Sequence, residues 1–131
     1  MFVLRSRARI IAIRPYLNYS IEEIKDDTMI KSALERDLYV IVQSAIDLAE
    51  ATVAFKNFRK PITMREAFDI LKEENILTSE FVQSFGNIVG FRNAVAHNYE
   101  NLRLEVIYDV LHNKLKEVEV FLKHIEDKFS L

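Results

Sequence analysis

Apolar residues recur at helical spacing along nearly the whole chain, and this pattern sets the predicted fold. In the first stretch they alternate steps of three and four residues, which places them on one face of a helix. Pro15 lies inside this stretch, and because a proline removes one backbone hydrogen bond, we expect the helix to bend or restart near Arg14. The apolar positions are Ile10, Ile13, Leu17, Ile21 and Ile24.

A second and longer helix is predicted from about Ile30 to Phe55, with an N-cap among Asp26, Asp27 and Thr28. Several apolar or small residues share its predicted inner side, and the helix is expected to be the longest buried element. These residues are Ala33, Leu34, Leu38, Ile41, Ala45, Leu48 and Thr52.

The most apolar run of the chain, Leu38 to Phe55, is interrupted by Gln43, Asp47 and Glu50. Such polar groups are costly inside a bilayer, so the run is interpreted as a buried helix and no membrane partner is expected.

Three further helices complete the predicted bundle. Thr63 and Glu66 match a capping box that begins a short third helix, and a fourth spans roughly 78–96. The fifth runs from about Leu102 to Phe129, with an apolar stripe suited to bundle packing or to a dimer seam. The stripe comprises Ile107, Leu111, Leu115, Val118, Leu122 and Ile125.

Composition agrees with long helices. The 131 residues include only two glycines and two prolines, so the chain has little material for hairpin turns or flexible linkers. We therefore predict an all-α fold, a single helical domain over residues 1–131 with about five helices.

Charge and cysteine content narrow the function classes. The formal charge of -2 argues against a protein that coats nucleic acid by charge alone, so any RNA contact must be local. Without cysteine there is no disulfide and no thiolate chemistry, which fits an expected cytoplasmic location. His112 and His124 have no partners at metal-ligand spacing, so neither a metal site nor a cofactor is predicted.

The densest polar cluster on an otherwise apolar helix lies between the fourth and fifth helices, and it contains Arg92, Asn93 and His97. Asn93 and His97 share a helix face, whereas Arg92 and His97 would point about 140° apart unless the helix ends or bends between them. Asn98 and Asn101 are residues that commonly end a helix.

These residue types suit RNA cleavage without a metal ion. A histidine can take the proton of a ribose 2′-hydroxyl, and an arginine can stabilise the charge that builds on phosphorus. The leaving oxygen still needs an acid, which a two-fold dimer with two copies of Arg92 and His97 would supply. Composition alone nevertheless favours a simpler interpretation, a cationic cap at the helix end.

The segment resembles the signature of the HEPN superfamily, an arginine separated by four to six residues from a histidine and often followed by Asn or Asp. Arg92, Asn93 and His97 match it, and Tyr99, two residues after the histidine, narrows the resemblance to the HepT-like toxins. Flanking segments are similar too, namely Glu35-Arg36, Gln43 to Asp47, Pro61 to Glu66 and Gly90-Phe91.

The resemblance implies a helical homodimer in which two motifs share a groove that cleaves RNA without a metal. It also implies a partner, a minimal nucleotidyltransferase antitoxin that transfers AMP from ATP to Tyr99. The added phosphate would place negative charge beside Arg92 and His97 and silence the toxin.

Several other charged residues have both a functional and a purely structural interpretation. Glu35, Arg36 and Asp47 are candidates for supporting the motif, although an internal ion pair at a helix start explains them nearly as well. The arginines before Glu22 are expected on a solvated face or in a salt bridge between subunits rather than on RNA. A rival function, a non-catalytic helical binding partner of a nucleotidyltransferase, would not need Arg92 and His97.

Overall fold

A computed structural model describes residues 2–97 and 104–129, with side chains described from residue 7 onward. Within these ranges the chain is helical and contains no strand, so the prediction of an all-α fold is confirmed. The α-helices are α1 (Phe2–Ile13), α2 (Ile21–Asp26), α3 (Thr28–Phe55), α4 (Met64–Glu73), α5 (Ser79–Phe85), α6 (Ile88–Ala96), α7 (Leu104–Asp109) and α8 (Leu115–Phe129). A 3-10 helix (Arg14–Asn18) follows α1, and a π-helical turn (Val110–Lys114) joins α7 to α8.

The predicted first helix is divided into three pieces. Pro15 falls in the first turn of the 3-10 helix, so the expected interruption near Arg14 is confirmed. A capping box then starts α2, because Ser20 Oγ accepts from the Glu23 N–H at 3.1 Å and Glu23 Oε1 accepts from the Ser20 N–H at 2.9 Å. Pro15 and the capping box therefore divide a stretch whose apolar spacing alone predicts one continuous helix.

Helix α3 is the central element and packs against α1, α4, α6 and α8. Asp27 is its N-cap, since Oδ1 accepts from the N–H groups of Met29 and Ile30. By length and composition α3 could cross a membrane, but 50% of its apolar window is buried within the structure. That burial is typical of a core helix, as the sequence predicts.

The loop before α4 is fixed by polar contacts. Thr63 Oγ1 caps α4 by accepting from the Glu66 N–H at 3.1 Å, as predicted. The reciprocal half of the predicted capping box is replaced, because the Glu66 carboxylate accepts from the Ile62 N–H at 3.1 Å and from Arg59 Nη1 at 2.9 Å rather than from the Thr63 N–H. Glu66 therefore stabilises the incoming loop as well as the helix start.

The predicted fourth helix is broken at Gly86 and Asn87, which separate α5 from α6. A methyl group at Gly86 would lie 2.5 Å from Arg65 Nε and 2.8 Å from the Val82 carbonyl oxygen. The bare glycine lets the Arg65 side chain of α4 cross the joint closely. Gly86 thus allows a close contact between α4 and the joint of α5 and α6.

A cluster of phenylalanines fills the core between α4, α5 and α8. The ring of Phe68 lies 5.4 Å from Phe85 and 5.8 Å from Phe121, both in edge-to-face geometry. The Phe85 and Phe121 rings are 5.3 Å apart. Such contacts add to the burial of the rings and hold α5, and hence the start of α6, in place.

The apolar stripe of the predicted fifth helix is used within one chain. All six of its residues are buried against the other helices, so none is left for a dimer seam. The predicted dimer seam along this stripe is therefore wrong, because its residues already pack in the core of one chain. The buried positions are Ile107, Leu111, Leu115, Val118, Leu122 and Ile125.

The same helix is continuous from α7 to α8 but not uniformly α-helical. Between them the Leu115 N–H reaches back five residues to the Val110 carbonyl, which defines the π-helical turn. The rings of Tyr108 and His112 pack against each other here, with centroids 4.2 Å apart.

Candidate active site

Arg92 lies on α6 and is anchored to α3. Its Nε donates to Gln43 Oε1 at 2.6 Å, and its Nη1 donates to Asn93 Oδ1 at 3.1 Å. The side chain is half-buried. These contacts hold the guanidinium against the face of α3 and give Asn93 a direct role beside it.

Four polar or aromatic residues of α3 share the helix face that contacts Arg92, and we call them the α3 polar stripe: Tyr39, Gln43, Asp47 and Glu50. Their spacing of four, four and three residues places them on one helix face. The Gln43 amide Nε2 donates to Asp47 Oδ1 at 2.8 Å. The Arg92 guanidinium carbon lies 6.0 Å from the centre of the Tyr39 ring, at the outer limit of a cation-π contact.

The stripe brings two carboxylates near one cation. Burial raises the pKa of Glu50 above its ordinary value, the charge of Asp47 raises it further, and the charge of Arg92 lowers it in part. The site therefore contains a carboxyl group that gives up its proton less readily than an exposed one.

His97 is the C-cap residue of α6 and is exposed. Its backbone N–H donates to the Asn93 carbonyl at 3.0 Å, so the helical turn persists through the motif. The last residue of α6 is Ala96, as predicted, but the hydrogen bond from His97 to Asn93 shows that the helical turn is not broken between Arg92 and His97. The two side chains therefore leave α6 about 140° apart, and a break in the helix does not bring them together.

The remaining candidates differ in their distance from Arg92. Asp47 is linked to it through Gln43, whereas Glu35 pairs with Lys31 at 3.8 Å on an earlier turn of α3. Arg36 is exposed. It precedes Gln43 by seven residues, about two helical turns, so the two residues lie on nearly the same face of α3.

Tyr99, the candidate for modification, lies outside the described residues, as do Asn98 and Asn101.

Two of the amino-terminal arginines, Arg7 and Arg14, form salt bridges within the chain. Arg7 Nη2 lies 3.2 Å from Glu126 Oε2, and Arg14 Nη2 lies 3.3 Å from Glu119 Oε1. Both contacts join the start of the chain to α8. The arginines therefore form salt bridges, but within one chain rather than between subunits as predicted.

The other two histidines occupy separate surroundings. The Nε2 of His124 lies 2.6 Å from the Ile76 carbonyl oxygen, which ties α8 to the turn after α4. His112 packs on Tyr108, and its Nε2 is buried without a hydrogen bond. Among the described residues, no three His or carboxylate side chains cluster at a distance suited to a metal ion.

Gln43 is the direct partner of Arg92, and neither this contact nor the presence of Tyr39 and Glu50 at the site is predicted from the sequence. A signal was present, because polar residues repeat every three or four positions along one face of an otherwise apolar helix. Spacing alone does not say which residue they face across the bundle.

Comparisons with known proteins agree with this architecture. A family model described as "Ribonuclease HepT-like" matches residues 7–125. The mRNA nuclease HepT of Shewanella oneidensis is 24% identical over 104 residues, covering 79% of this chain and 78% of the relative. The tRNA nuclease HepT of Aphanizomenon flos-aquae is 24% identical over 113 residues, covering 86% and 77%.

Among solved structures, the tri-AMPylated HEPN toxin of Shewanella oneidensis in complex with MNT antitoxin has a TM-score of 0.82 to this chain. The sequence identity is 21%, and the match covers 96% of this chain and 97% of the other. The likeness shows that the two share a fold, as the resemblance to HEPN proteins implies.

Proposed function

The chain belongs to the HepT-like ribonuclease family, a family of RNA-cleaving enzymes, and we propose that it is the toxin of a toxin-antitoxin pair. Its proposed activity is endonucleolytic cleavage of RNA without a metal ion, with Arg92 and His97 as the catalytic residues. The nuclease names of its relatives from Shewanella and Aphanizomenon support the activity class.

The anchoring of Arg92 is the observation that carries the proposed site. A guanidinium has five N–H donors, and the contacts to Gln43 and Asn93 engage one on Nε and one on Nη1. The remaining donors on the two Nη groups suit bidentate binding of a phosphate. A cation held in this way needs little reorganisation as negative charge develops on phosphorus.

In the proposed reaction His97 takes the proton of a ribose 2′-hydroxyl, and the 2′-oxygen attacks the adjacent phosphorus. The bond from phosphorus to the 5′-oxygen breaks, and this oxygen must receive a proton as it leaves. A single motif supplies one histidine, which is already assigned as the base, so the acid must come from another group. A second copy across a two-fold axis supplies the complementary His97 as the acid.

Control of the toxin is proposed to act on Tyr99. The cognate antitoxin, a minimal nucleotidyltransferase, would transfer AMP from ATP to the tyrosine hydroxyl and place a phosphate beside the motif. The AMPylated Shewanella toxin in complex with its MNT antitoxin supports this proposal by analogy. We propose a cytoplasmic location for both partners.

Purified protein incubated with total tRNA in excess EDTA tests the proposed activity. We expect cleavage by the wild type, and a loss of roughly a hundredfold to ten-thousandfold in Arg92→Ala and His97→Ala. Lys128→Ala, an exposed change on α8, is the matched control and should keep full activity. Circular dichroism should show the same helical content in all four proteins, since Arg92 is half-buried and His97 is exposed.

Failure of the wild type to cleave tRNA or mRNA would instead favour a non-catalytic partner of the nucleotidyltransferase. Full activity in Arg92→Ala or His97→Ala, with an unchanged fold, would remove the assigned catalytic residue.

A further inference from the structure

We infer that Gln43, held by Asp47, is a positioning residue that aims the Arg92 guanidinium at the scissile phosphate. This inference rests on the proposed function, because it assigns a role relative to the proposed catalytic arginine. It adds to the active site a relay of two side chains that approach from α3 and contact no substrate themselves.

The chemistry of the two neighbours fixes the orientation of the Gln43 amide. Arg92 can only donate hydrogen bonds, so the atom that faces its Nε at 2.6 Å must be the amide oxygen. A carboxylate can only accept, so the atom of Gln43 that lies 2.8 Å from Asp47 Oδ1 must be the amide nitrogen. Removal of the Asp47 acceptor would therefore leave the amide nitrogen without this partner and the Gln43 side chain less firmly held against Arg92.

The contact at Nε decides which edge of the guanidinium is open. A phosphate can be bound in a bidentate manner either by Nε with Nη2 or by the two Nη groups together. Gln43 occupies Nε, so the side-on arrangement is closed and the end-on arrangement remains. Asn93 takes one donor of Nη1 from the same helix and further limits rotation of the group.

The electrostatic surroundings argue against a merely structural role for the relay. Asp47 is a half-buried carboxylate that raises the pKa of Glu50, one turn further along α3. Two acidic groups close together oppose each other, and apolar residues on this face would avoid the cost of desolvating them. An arrangement that retains this cost is expected where a side chain must be held in one orientation.

Variants of the relay test the inference, with tRNA in EDTA as substrate and single-turnover cleavage as the measurement. Gln43→Leu removes the acceptor for Nε, and Asp47→Leu removes the group that orients the amide. We expect each to slow cleavage by up to about a hundredfold, because small misplacements of a catalytic group have effects of that size. Asp47→Asn keeps an acceptor oxygen for Gln43 Nε2, so it should retain most of the activity.

Ser44→Ala is the matched control. Ser44 is also half-buried on α3, but its hydroxyl donates to the Val40 carbonyl of its own helix at 2.8 Å. This substitution should leave cleavage unchanged. Thermal unfolding of each variant separates loss of structure from loss of positioning, and only variants that remain folded at the assay temperature are compared.

A double variant separates positioning from an independent contribution. If Gln43 acts through Arg92, then Gln43→Leu should slow the wild type but leave the residual rate of Arg92→Ala unchanged. Multiplicative losses in the double variant would overturn the inference, since Gln43 would then act without Arg92. Normal cleavage by folded Gln43→Leu would overturn it as well.

The proposed function and this inference fail in different ways. An inactive wild type, or an active Arg92→Ala, contradicts the proposed function. A wild type that depends on Arg92 but not on Gln43 contradicts only the inference.

Discussion

Arg59 binds Glu73 through two parallel hydrogen bonds, from Nε to Oε2 at 3.1 Å and from Nη2 to Oε1 at 2.7 Å. Its Nη1 binds Glu66 at 2.9 Å, so one arginine of the loop after α3 holds both ends of the outer face of α4. Arg59 and Glu73 are exposed and Glu66 is half-buried, so their effect on stability is expected to be modest and dependent on salt. The hydrogen bond from Arg59 lowers the pKa of Glu73 below its ordinary value, and the charge of Arg59 adds to this.

Arg59→Met should lower the melting temperature near neutral pH, and this difference should shrink on acidification. The lowered pKa means that the folded state keeps Glu73 ionised to lower pH than the unfolded state does. The stabilisation is therefore complete above the ordinary pKa of glutamate, about 4.3, and is lost as the pH falls through the lower folded value. Thermal melts between neutral and strongly acidic pH measure it.

Lys60→Met is the control, because it removes a neighbouring exposed cation and leaves the Arg59 contacts in place. A difference between Arg59→Met and wild type that stays constant on acidification would contradict the role assigned to Glu73.

Glu50→Gln should have the opposite dependence on pH. Burial and the charge of Asp47 raise the Glu50 pKa, so the unfolded state loses this proton before the folded state does as the pH increases. Wild-type stability should therefore fall between the ordinary pKa and the raised folded value, and the neutral amide avoids the loss. We expect the melting temperature of Glu50→Gln to match wild type in acid and to exceed it near neutral pH.

Glu74→Gln, on the exposed turn after α4, controls for the general effect of removing one negative charge. An equal rise in both variants would show that net charge, rather than the surroundings of Glu50, sets the difference.

Mixed dimers test the shared groove. We expect the protein to sediment as a dimer at micromolar concentration. To prepare mixed dimers, wild-type subunits are combined with differently tagged His97→Ala subunits, and the species that carries both tags is purified. If acid and base come from two copies of His97, the mixed dimer should fall far below half of the wild-type rate. A rate of about half would mean that each subunit works alone, and an active monomer would remove the shared-groove mechanism altogether.

Tyr99→Phe tests the proposed control. Because the variant lacks the hydroxyl that would accept AMP, it should still cleave RNA but resist inhibition by the cognate antitoxin with ATP. Mass spectrometry of the wild-type toxin co-expressed with its antitoxin should find an adenylyl group on the peptide that contains Tyr99.

Loss of cleavage in Tyr99→Phe itself would indicate that the hydroxyl orients the site. Complete inhibition of the wild type without an adenylyl group would indicate that the antitoxin blocks the groove.

Features governed by neighbouring residues could be predicted from the sequence. Asp27 caps α3, Thr63 caps α4 and Pro15 interrupts the first helix, since each effect depends on backbone groups within a few positions. The position of the Arg92 motif at the end of α6 follows from the same kind of local signal.

Features governed by distant residues could not be predicted. Gln43 and Arg92 are 49 positions apart, and their contact depends on how α3 and α6 pack. The close approach of Arg65 from α4 to Gly86 joins residues 21 positions apart and is likewise not visible in the sequence. The apolar stripe of the last helix was visible, but only the packed chain shows that no part of it is left over for a second subunit.

The π-helical turn at Val110–Lys114 has a consequence for comparing this chain with its relatives. A π turn holds one residue more than the α-helical turn that could replace it, so it behaves as a single-residue insertion absorbed inside a continuous helix. A relative that lacks this extra residue would align without a gap to α7 or to α8 but not to both, because the two alignments differ by one position. The deletion of Asn113, which is exposed, would leave α7 and α8 joined by one regular helix, with both halves still facing the core.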